Sequence, residues 1–466
     1  MTKYSLFIFR RDLRLIDNKG LNLALQKYQN VIPIFIFTPE QVTDKNDFKS
    51  DNAIQFMIES LKELETDFKK NKSKLLVFQG TNKKILSNII KNIEVEAIIT
   101  NQDYTPYAIK RDKEIEKMCS SKNIKFEHVE DYLLAPVGTF LKADKKPYTV
   151  YTPFKNNVVK FKIDKPSKLT KAKNLAKTEE INKISKVLKP KGYIKYQINE
   201  DILVNGGRSQ GLNKIKDLKK QTKYNQNRNT LHINTTHLSA YIKFGCLSIR
   251  EVYWAIHSKL GSSNTLINQL IWREFYYYIV FYFPDMLKKG ANFNTKYDKI
   301  KWNSNKSYFK KWSLGETGYP VVDAGIRELN KTGYMHNRAR LITSNFLNRM
   351  LGLDWRLGEK YFAQKLTDYD PSVNNGNWQW IASTGTDPKP YFQRLFNPIL
   401  QSEKFDKDCL YIKKWIPELK DVPNKDVHNW ESKYESYDLK KLNYFKPIVE
   451  YKTARAESVK MYREVL

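Results

Sequence analysis

The sequence predicts an α/β plus all-α protein. Residues 1–130 read as an N-terminal open parallel α/β sheet domain, residues 131–223 as a long interdomain connector, and residues 224–466 as a C-terminal helical domain. Three observations predict it. In the first part, short apolar or β-branched runs alternate with amphipathic stretches, the pattern of βαβ units. The middle part is lysine-rich and short of apolar runs. In the last part, apolar residues recur at helical spacing. A chain of 466 residues exceeds one ordinary core, and 41% apolar residues suffice to build more than one.

Taken in order, Tyr4–Phe9, Val31–Phe37, Lys74–Phe78 and Ala97–Thr100 read as buried parallel strands. Asn52–Phe68 reads as an amphipathic helix between the second and third. No Gly-rich fingerprint follows the first strand, so a standard dinucleotide turn is not expected there. From Lys155 to Lys223 there are 19 basic and 6 acidic residues, a net of +13, which reads as a solvated connector with some short helices. Leu266–Phe283 is a strongly apolar and aromatic helix closed by Pro284. His336–Leu351 carries Leu341, Ile342, Phe346, Leu347 and Leu351 at helical spacing.

Lys and Arg number 81 against 50 Asp and Glu, a formal +31. Such a field favours polyanions, nucleic acid first and an anionic membrane surface second, with lysine bias alone as the plain alternative. Cys119, Cys246 and Cys409 are widely spaced and offer neither a disulfide framework nor metal-ligand spacing. This suits a reducing, cytoplasmic setting and a protein without a metal. No secretory leader is visible, since the apolar Leu6–Phe9 is short and ends in Arg10-Arg11, and no run approaches transmembrane length. No Ser-His-Asp or HExxH arrangement supports hydrolysis.

The densest chemistry lies in Asp368-Tyr-Asp-Pro-Ser-Val-Asn374-Asn-Gly-Asn-Trp378-Gln-Trp380-Ile-Ala-Ser-Thr-Gly385-Thr-Asp387. Two Trp at i and i+2 point in different directions on any regular element. The Gly and Asn before them are expected to let the backbone bend sharply and approach a flat, polar-edged ligand. A polar loop ahead of buried core Trp is the bland alternative. Upstream, Tyr224…Arg228…Thr235-Thr-His-Leu-Ser239 places hydroxyls ahead of a helical pattern, which suits a phosphate, although most such hydroxyls are only helix caps.

These stretches resemble the flavin-site signature of the cryptochrome/photolyase family, most closely the class I enzymes that repair cyclobutane pyrimidine dimers. The resemblance continues through Trp272-Arg-Glu-Phe-Tyr276, Thr317-Gly-Tyr-Pro-Val-Val-Asp323-Ala, Gly333-Tyr-Met-His-Asn337-Arg-Ala-Arg340, Asp354-Trp-Arg-Leu-Gly-Glu359 and the N-terminal Phe9-Arg-Arg-Asp-Leu-Arg14…Asp17-Asn18, and so covers nearly the whole chain.

The resemblance implies a flavoprotein lyase that splits the dimer in UV-damaged DNA by light-driven electron transfer from reduced FAD, acting as a monomer. It implies FAD contacts from Tyr224, Thr235, Thr236, His237, Leu238, Ser239, Arg273, Asn337, Arg340, Asp368, Asp370 and Asn374. Arg340 and Asp368 would form a buried ion pair beside the flavin ring, and Asn374 would face flavin N5, where a neutral amide tolerates the reduced anion better than a carboxylate would. Trp378, Trp355 and Trp302 fall on the family's electron-hopping chain, from the flavin outward. Trp272 and Trp380 would wall the pocket for the flipped-out dimer, Gln269 and Asn337 would lie at the lesion, and Arg228, Arg338, Arg394 and Gln401 would meet the DNA backbone around it.

Some positions depart from the pattern. Gln269 replaces the usual Glu and resembles the enzymes of (6-4) lesions, whereas Asn337 fits the dimer class. Leu341 stands where Met is usual, and Gln393 lengthens the segment before Arg394 by one residue. Ala108 occupies the place of an acid found in folate-using members, so a second, light-harvesting chromophore is open among folate, deazaflavin, another flavin and none. A cryptochrome-type photoreceptor and a (6-4) photolyase are the rival readings.

Overall fold

The computed structural model describes residues 2–386 and 394–465. The N-terminal part is a five-stranded sheet in the order β3-β2-β1-β4-β5, parallel throughout. Its strands are β1 (Tyr4–Phe9), β2 (Val31–Phe37), β3 (Leu76–Gln79), β4 (Val95–Asn101) and β5 (Lys125–Val129). The helices α1 (Lys19–Lys27), α2 (Asp51–Lys70), α3 (Asn82–Asn92) and α4 (Pro106–Ser120) connect them. Every residue of β2 is buried, as an apolar run between two helical layers requires. Strand β5, Lys-Phe-Glu-His-Val, is an edge strand with no buried residue and no apolar run, whereas β3 at the other edge keeps three buried residues.

The lysine-rich stretch holds the short helices α5 (Tyr151–Val158), α6 (Thr178–Leu188) and α7 (Arg208–Lys216). Its lysines face water, but its few apolar residues are anchors. Ile181, Ile184 and Leu188 join the core on one face of the sheet. Tyr151 and Phe154 pack against the helical domain.

The helical part includes α8 (Ser239–Lys243), α9 (Ile249–Leu260), α10 (Thr265–Tyr282), α11 (Asn337–Asn345), α12 (Trp355–Lys365), α13 (Pro371–Ile381), α14 (Pro398–Phe405) and α15 (Tyr451–Arg463). After α11 the chain runs on as a π-helical turn, Phe346–Met350, so the helical spacing of the sequence continues with one loosened turn. Helix α10 is buried on most sides because it belongs to the same apolar cluster as Phe7, Phe9 and Phe35 of the sheet. The two domains thus share one core. Ions stitch the same seam: Arg250 Nε bonds Asp17 at 2.9 Å and its amino group bonds Asp131 at 2.6 Å.

Candidate functional site

Helix α13 is the spine of the site. Asp370 caps it, one carboxylate oxygen accepting from Ser372 N at 3.0 Å and Val373 N at 3.2 Å, and Pro371 occupies the first turn. The bend expected around Gly376 is not there: the stretch is a regular helix, and Gly376 answers to packing instead. A Cβ on it would lie 2.1 Å from Tyr276 Cδ1 of α10. Gly358 makes the matching room on the other side, where a Cβ would lie 2.1 Å from Trp378 Cη2. Two missing side chains let α10, α12 and α13 approach closely.

The two Trp of α13 diverge as their spacing requires. Trp378 points into the helical core, edge-on to Phe362 at 4.9 Å and to Trp312 at 6.4 Å. Trp380 points the other way, under the Arg394 guanidinium at 4.0 Å. Trp355 is fully buried and donates its indole N–H to Asn292 at 2.9 Å. Trp302 is half-buried and edge-on to Tyr462 at 6.2 Å. The three run from buried to partly exposed.

Asn374 turns its amide toward α12, donating to Glu359 O at 3.1 Å. Glu359 is almost fully buried, and burial pushes its carboxyl up to about 7 against the pull of Asn374 and Asn375. Arg340 and Asp368 pair at 3.0 Å, with Arg340 Nε on Met335 O and the guanidinium over Tyr334. Asp370, expected beside the cofactor, has its second oxygen on Tyr277 OH at 2.6 Å and on Arg11 of the other domain. Burial raises this carboxyl, but Arg11, Arg273 and Tyr277 outweigh it and hold it below the usual carboxylate range. Arg273 donates to Tyr132 O at 2.8 Å and lies over Tyr277 at 4.6 Å, at the domain seam.

In the loop before α8, Thr235, Thr236 and His237 are half-buried, Leu238 is buried and Ser239 is exposed. His237 has φ +49°, which turns the chain, and packs edge-on to Tyr334 at 4.9 Å. Tyr224 is buried and Arg228 exposed. None of Thr235, Thr236 or Ser239 caps α8, whose N-terminus begins after Leu238 without a side-chain cap. These hydroxyls, the Arg340–Asp368 pair and the Asn374 amide are donors and acceptors that fit the diphosphate, ribose and ring edge of FAD.

A second set lies at the N-cap and first turn of α11 and on α13 and α14. His336 Nε2, Arg338 Nε, Trp380 Nε1 and Gln401 Oε1 are each buried without a hydrogen-bond partner. Leaving such an atom unpaired costs roughly 1–3 kcal/mol, so each is open to a ligand atom. Arg338 also donates to Asn229 at 2.8 Å and lies over Phe405 at 4.3 Å. Burial and Arg228 lower it to about 10. Burial and nearby positive groups push His336 and His237 down to about 4. Asn337 is exposed, and Gln269 and Leu341 are half-buried. Arg394 departs from its expected place on the DNA backbone: it is 2% exposed, and its guanidinium lies on Trp380 while its carbonyl accepts from Asn345. It props the aromatic wall. Gln393 and Asp387 lie outside the described residues.

Sequence reasoning missed Tyr151. It stacks on Trp272 with ring centroids 3.6 Å apart and 5° from parallel, fixing that wall from the connector. It also missed Glu359, although that residue closes a quoted motif, and gave Arg11 no role in the site.

Residues 5–172 match the family model of DNA photolyase, and residues 266–464 match that of the FAD binding domain of DNA photolyase. The chain is 34% identical to the deoxyribodipyrimidine photo-lyase of Escherichia coli, over 97% of each chain. Among solved structures it resembles an archaeal photolyase from Sulfolobus tokodaii with two FAD molecules, at 39% identity and a TM-score of 0.83, covering 99% of this chain and 100% of the other. It also resembles a Synechocystis cryptochrome, at 25% identity and a TM-score of 0.86, over 99% of each chain. A parallel sheet sharing its core with a helical domain, a donor set suited to FAD and this likeness along the whole length agree: the chain belongs to the DNA photolyase family.

Proposed function

We propose that the protein repairs cyclobutane pyrimidine dimers in UV-damaged DNA, using light and one FAD. The observation that carries this reading is that α13 bears two unlike groups: Asn374, held to α12, with Asp368 of the Arg340–Asp368 pair just ahead of the helix in the chain, and Trp380, which points the other way with its buried indole N–H unpartnered. When bound, reduced FAD supplies under blue or near-ultraviolet light the electron that opens the dimer, and recovers it afterwards. The chain's own residues bind, orient and exclude water. Arg340, Asp368, Asn374 and the Thr235–Ser239 loop hold the cofactor, together with Tyr224. Trp272, backed by Tyr151, and Trp380, backed by Arg394, stack the flipped bases, worth about 1–3 kcal/mol per base. Arg338, Gln401, Asn337 and Gln269 meet lesion and backbone, and the exposed Arg228 adds a phosphate contact without reading sequence.

Trp378, Trp355 and Trp302 give the cofactor a path of oxidisable rings toward the surface. Trp378→Phe is expected to abolish photoreduction of the oxidised protein while leaving repair by chemically reduced protein mostly intact. Normal photoreduction in that variant removes Trp378 from the path.

A second chromophore fits the cleft between the domains. This cleft of about 1250 Å³ is lined by cations such as Arg10, Lys49 and Arg111 that outnumber its acids Glu40, Asp103, Glu114 and Glu359, and so suits a phosphate-bearing ligand. Ala108 is fully buried in α4 and presents no acid to it. Of the chromophores weighed, a flavin dinucleotide answers this lining best, and the two FAD molecules of the Sulfolobus tokodaii relative support it. The proposed site is complete within one chain, which supports a monomer, and the three buried, free cysteines support a reducing cytoplasm.

The deciding test is illumination of the reduced protein with two oligonucleotides, one carrying a cyclobutane thymine dimer and one a (6-4) product. Restoration of the first alone is expected. Restoration of the second alone makes Gln269 decisive, and restoration of neither, with flavin bound, moves the protein to a photoreceptor.

A further inference from the structure

We propose that Arg11, which belongs to the sheet domain, is a positioning residue of the flavin site: its guanidinium holds in register the three helices that carry the site, a role resting on the flavin placement proposed above. Arg11 lies two residues past the end of β1. Its Nε donates to Lys243 O at 3.3 Å, the last residue of α8, whose first residue ends the Thr235–Ser239 loop. One amino group donates to Tyr277 OH on α10, the helix of Gln269, Trp272 and Arg273. The same group pairs with Asp370, which caps α13, the helix of Asn374, Trp378 and Trp380. Tyr277 OH donates to that same Asp370 oxygen at 2.6 Å and closes the triangle. The other amino group reaches Asp103 in its own domain at 3.4 Å.

The backbone is fixed as firmly as the side chain. Leu13 N donates to Phe244 O at 3.1 Å. Gly245 sits against the Arg11 carbonyl with φ +66°, and a Cβ there would lie 2.2 Å from that oxygen. Arg11 therefore cannot shift without moving the end of α8. A planar guanidinium with a fixed fork of donors can serve three helices at once, whereas an ammonium is a point charge on a flexible stem. Small displacements of groups that hold a reactive ligand carry large penalties in reaction geometry. Other seam contacts lack this reach: Arg250 bonds Asp17, Asp131 and the backbone at these two positions.

The test uses the full chain loaded with FAD and four variants. Arg11→Lys keeps the charge and loses the fork. Asp370→Asn keeps an oxygen to cap α13 and loses the ion pair. Asp17→Asn breaks the seam elsewhere, and Asn374→Asp reports on flavin placement. Arg11→Lys and Asp370→Asn are each expected to raise the Kd for FAD about tenfold, or ~1.4 kcal/mol, and to alter the band structure of the bound flavin's visible absorption. Because the two variants share the Arg11–Asp370 pair, the loss in their double variant should fall short of the sum of the singles. Asp17→Asn should lower the melting temperature and leave Kd and spectrum unchanged, which separates positioning from simple docking of the domains. An unchanged Kd and spectrum in both Arg11→Lys and Asp370→Asn, with a spectral change in Asn374→Asp, overturns the role of Arg11 and spares the flavin placement. An unchanged spectrum in Asn374→Asp as well overturns both.

Discussion

Two buried polar regions of this molecule are built in opposite ways. At the domain seam, Asp17 and Asp131 are fully matched. Asp17 accepts from Ser167 N at 2.8 Å and Arg250 Nε at 2.9 Å, and Asp131 from Arg14 and from Arg250 at 2.6 Å. Each Arg250 nitrogen that can donate does so. Around the proposed lesion pocket, by contrast, His336, Arg338, Trp380 and Gln401 each keep a buried polar atom unmatched. The seam residues are almost fully buried, whereas Arg338, Trp380 and Gln401 are half-buried and only their unmatched atoms are shut off from solvent. The acids carry the contrast: Asp17 and Asp131 find their partners within the protein, although Arg14 Nε beside them does not, while the pocket atoms are open to a ligand.

The largest effect that tests this contrast lies at the seam. Arg250→Met removes a shared cation from two buried carboxylates, leaving Asp131 with Arg14 and Asp17 with hydroxyl and backbone donors, and the expected loss is about 3 kcal/mol in denaturant unfolding. A loss below about 1 kcal/mol breaks the comparison. Next comes the close approach of α10 and α13. Gly376→Ala drives a methyl into Tyr276 and should destabilise by about 1–3 kcal/mol, with a shifted flavin spectrum as the helices part.

On the pocket side the sign changes. Gln401→Leu removes an unmatched oxygen, so unfolding free energy should stay within about 1 kcal/mol of the parent. Affinity for dimer-containing DNA should fall nonetheless, as a binding titration would record. The smallest effect concerns Glu359, whose pKa lies at about 7 because burial outweighs Asn374 and Asn375. The unfolded chain releases this proton near 4.5 and the folded chain near 7, so stability falls as pH rises through that window. Glu359→Gln should flatten the slope between these two pH values.

Much of the fold is legible in the sequence because it is local. The apolar runs at β1, β2 and β4 and the aromatic helix α10 declare themselves by period and length. The divergence of Trp378 and Trp380 follows from their spacing alone. Strand β5 was not individually legible, since Lys-Phe-Glu-His-Val carries no apolar run and buries no residue. The site divides in the same way. Its residue types stand in recognisable strings, but what those residues do depends on partners far along the chain. Gly376 reads as a bend and is in fact a gap for Tyr276. Arg394 reads as a phosphate contact and lies instead on Trp380.

By itself the sequence determined the parallel sheet, the helical second domain, the strongly basic charge and the family to which the strings belong. The first three follow from backbone periodicity and composition, which act over a few residues or over the whole chain, and the family from the resemblance of the strings themselves. Only the tertiary structure decided that Tyr151 backs Trp272, that Glu359 holds Asn374, and that Arg11 reaches the cap of α13. Such contacts join positions separated by 121 and by 359 residues in two of the three cases. No local pattern encodes them, because packing of two domains around one shared core is what brings them together.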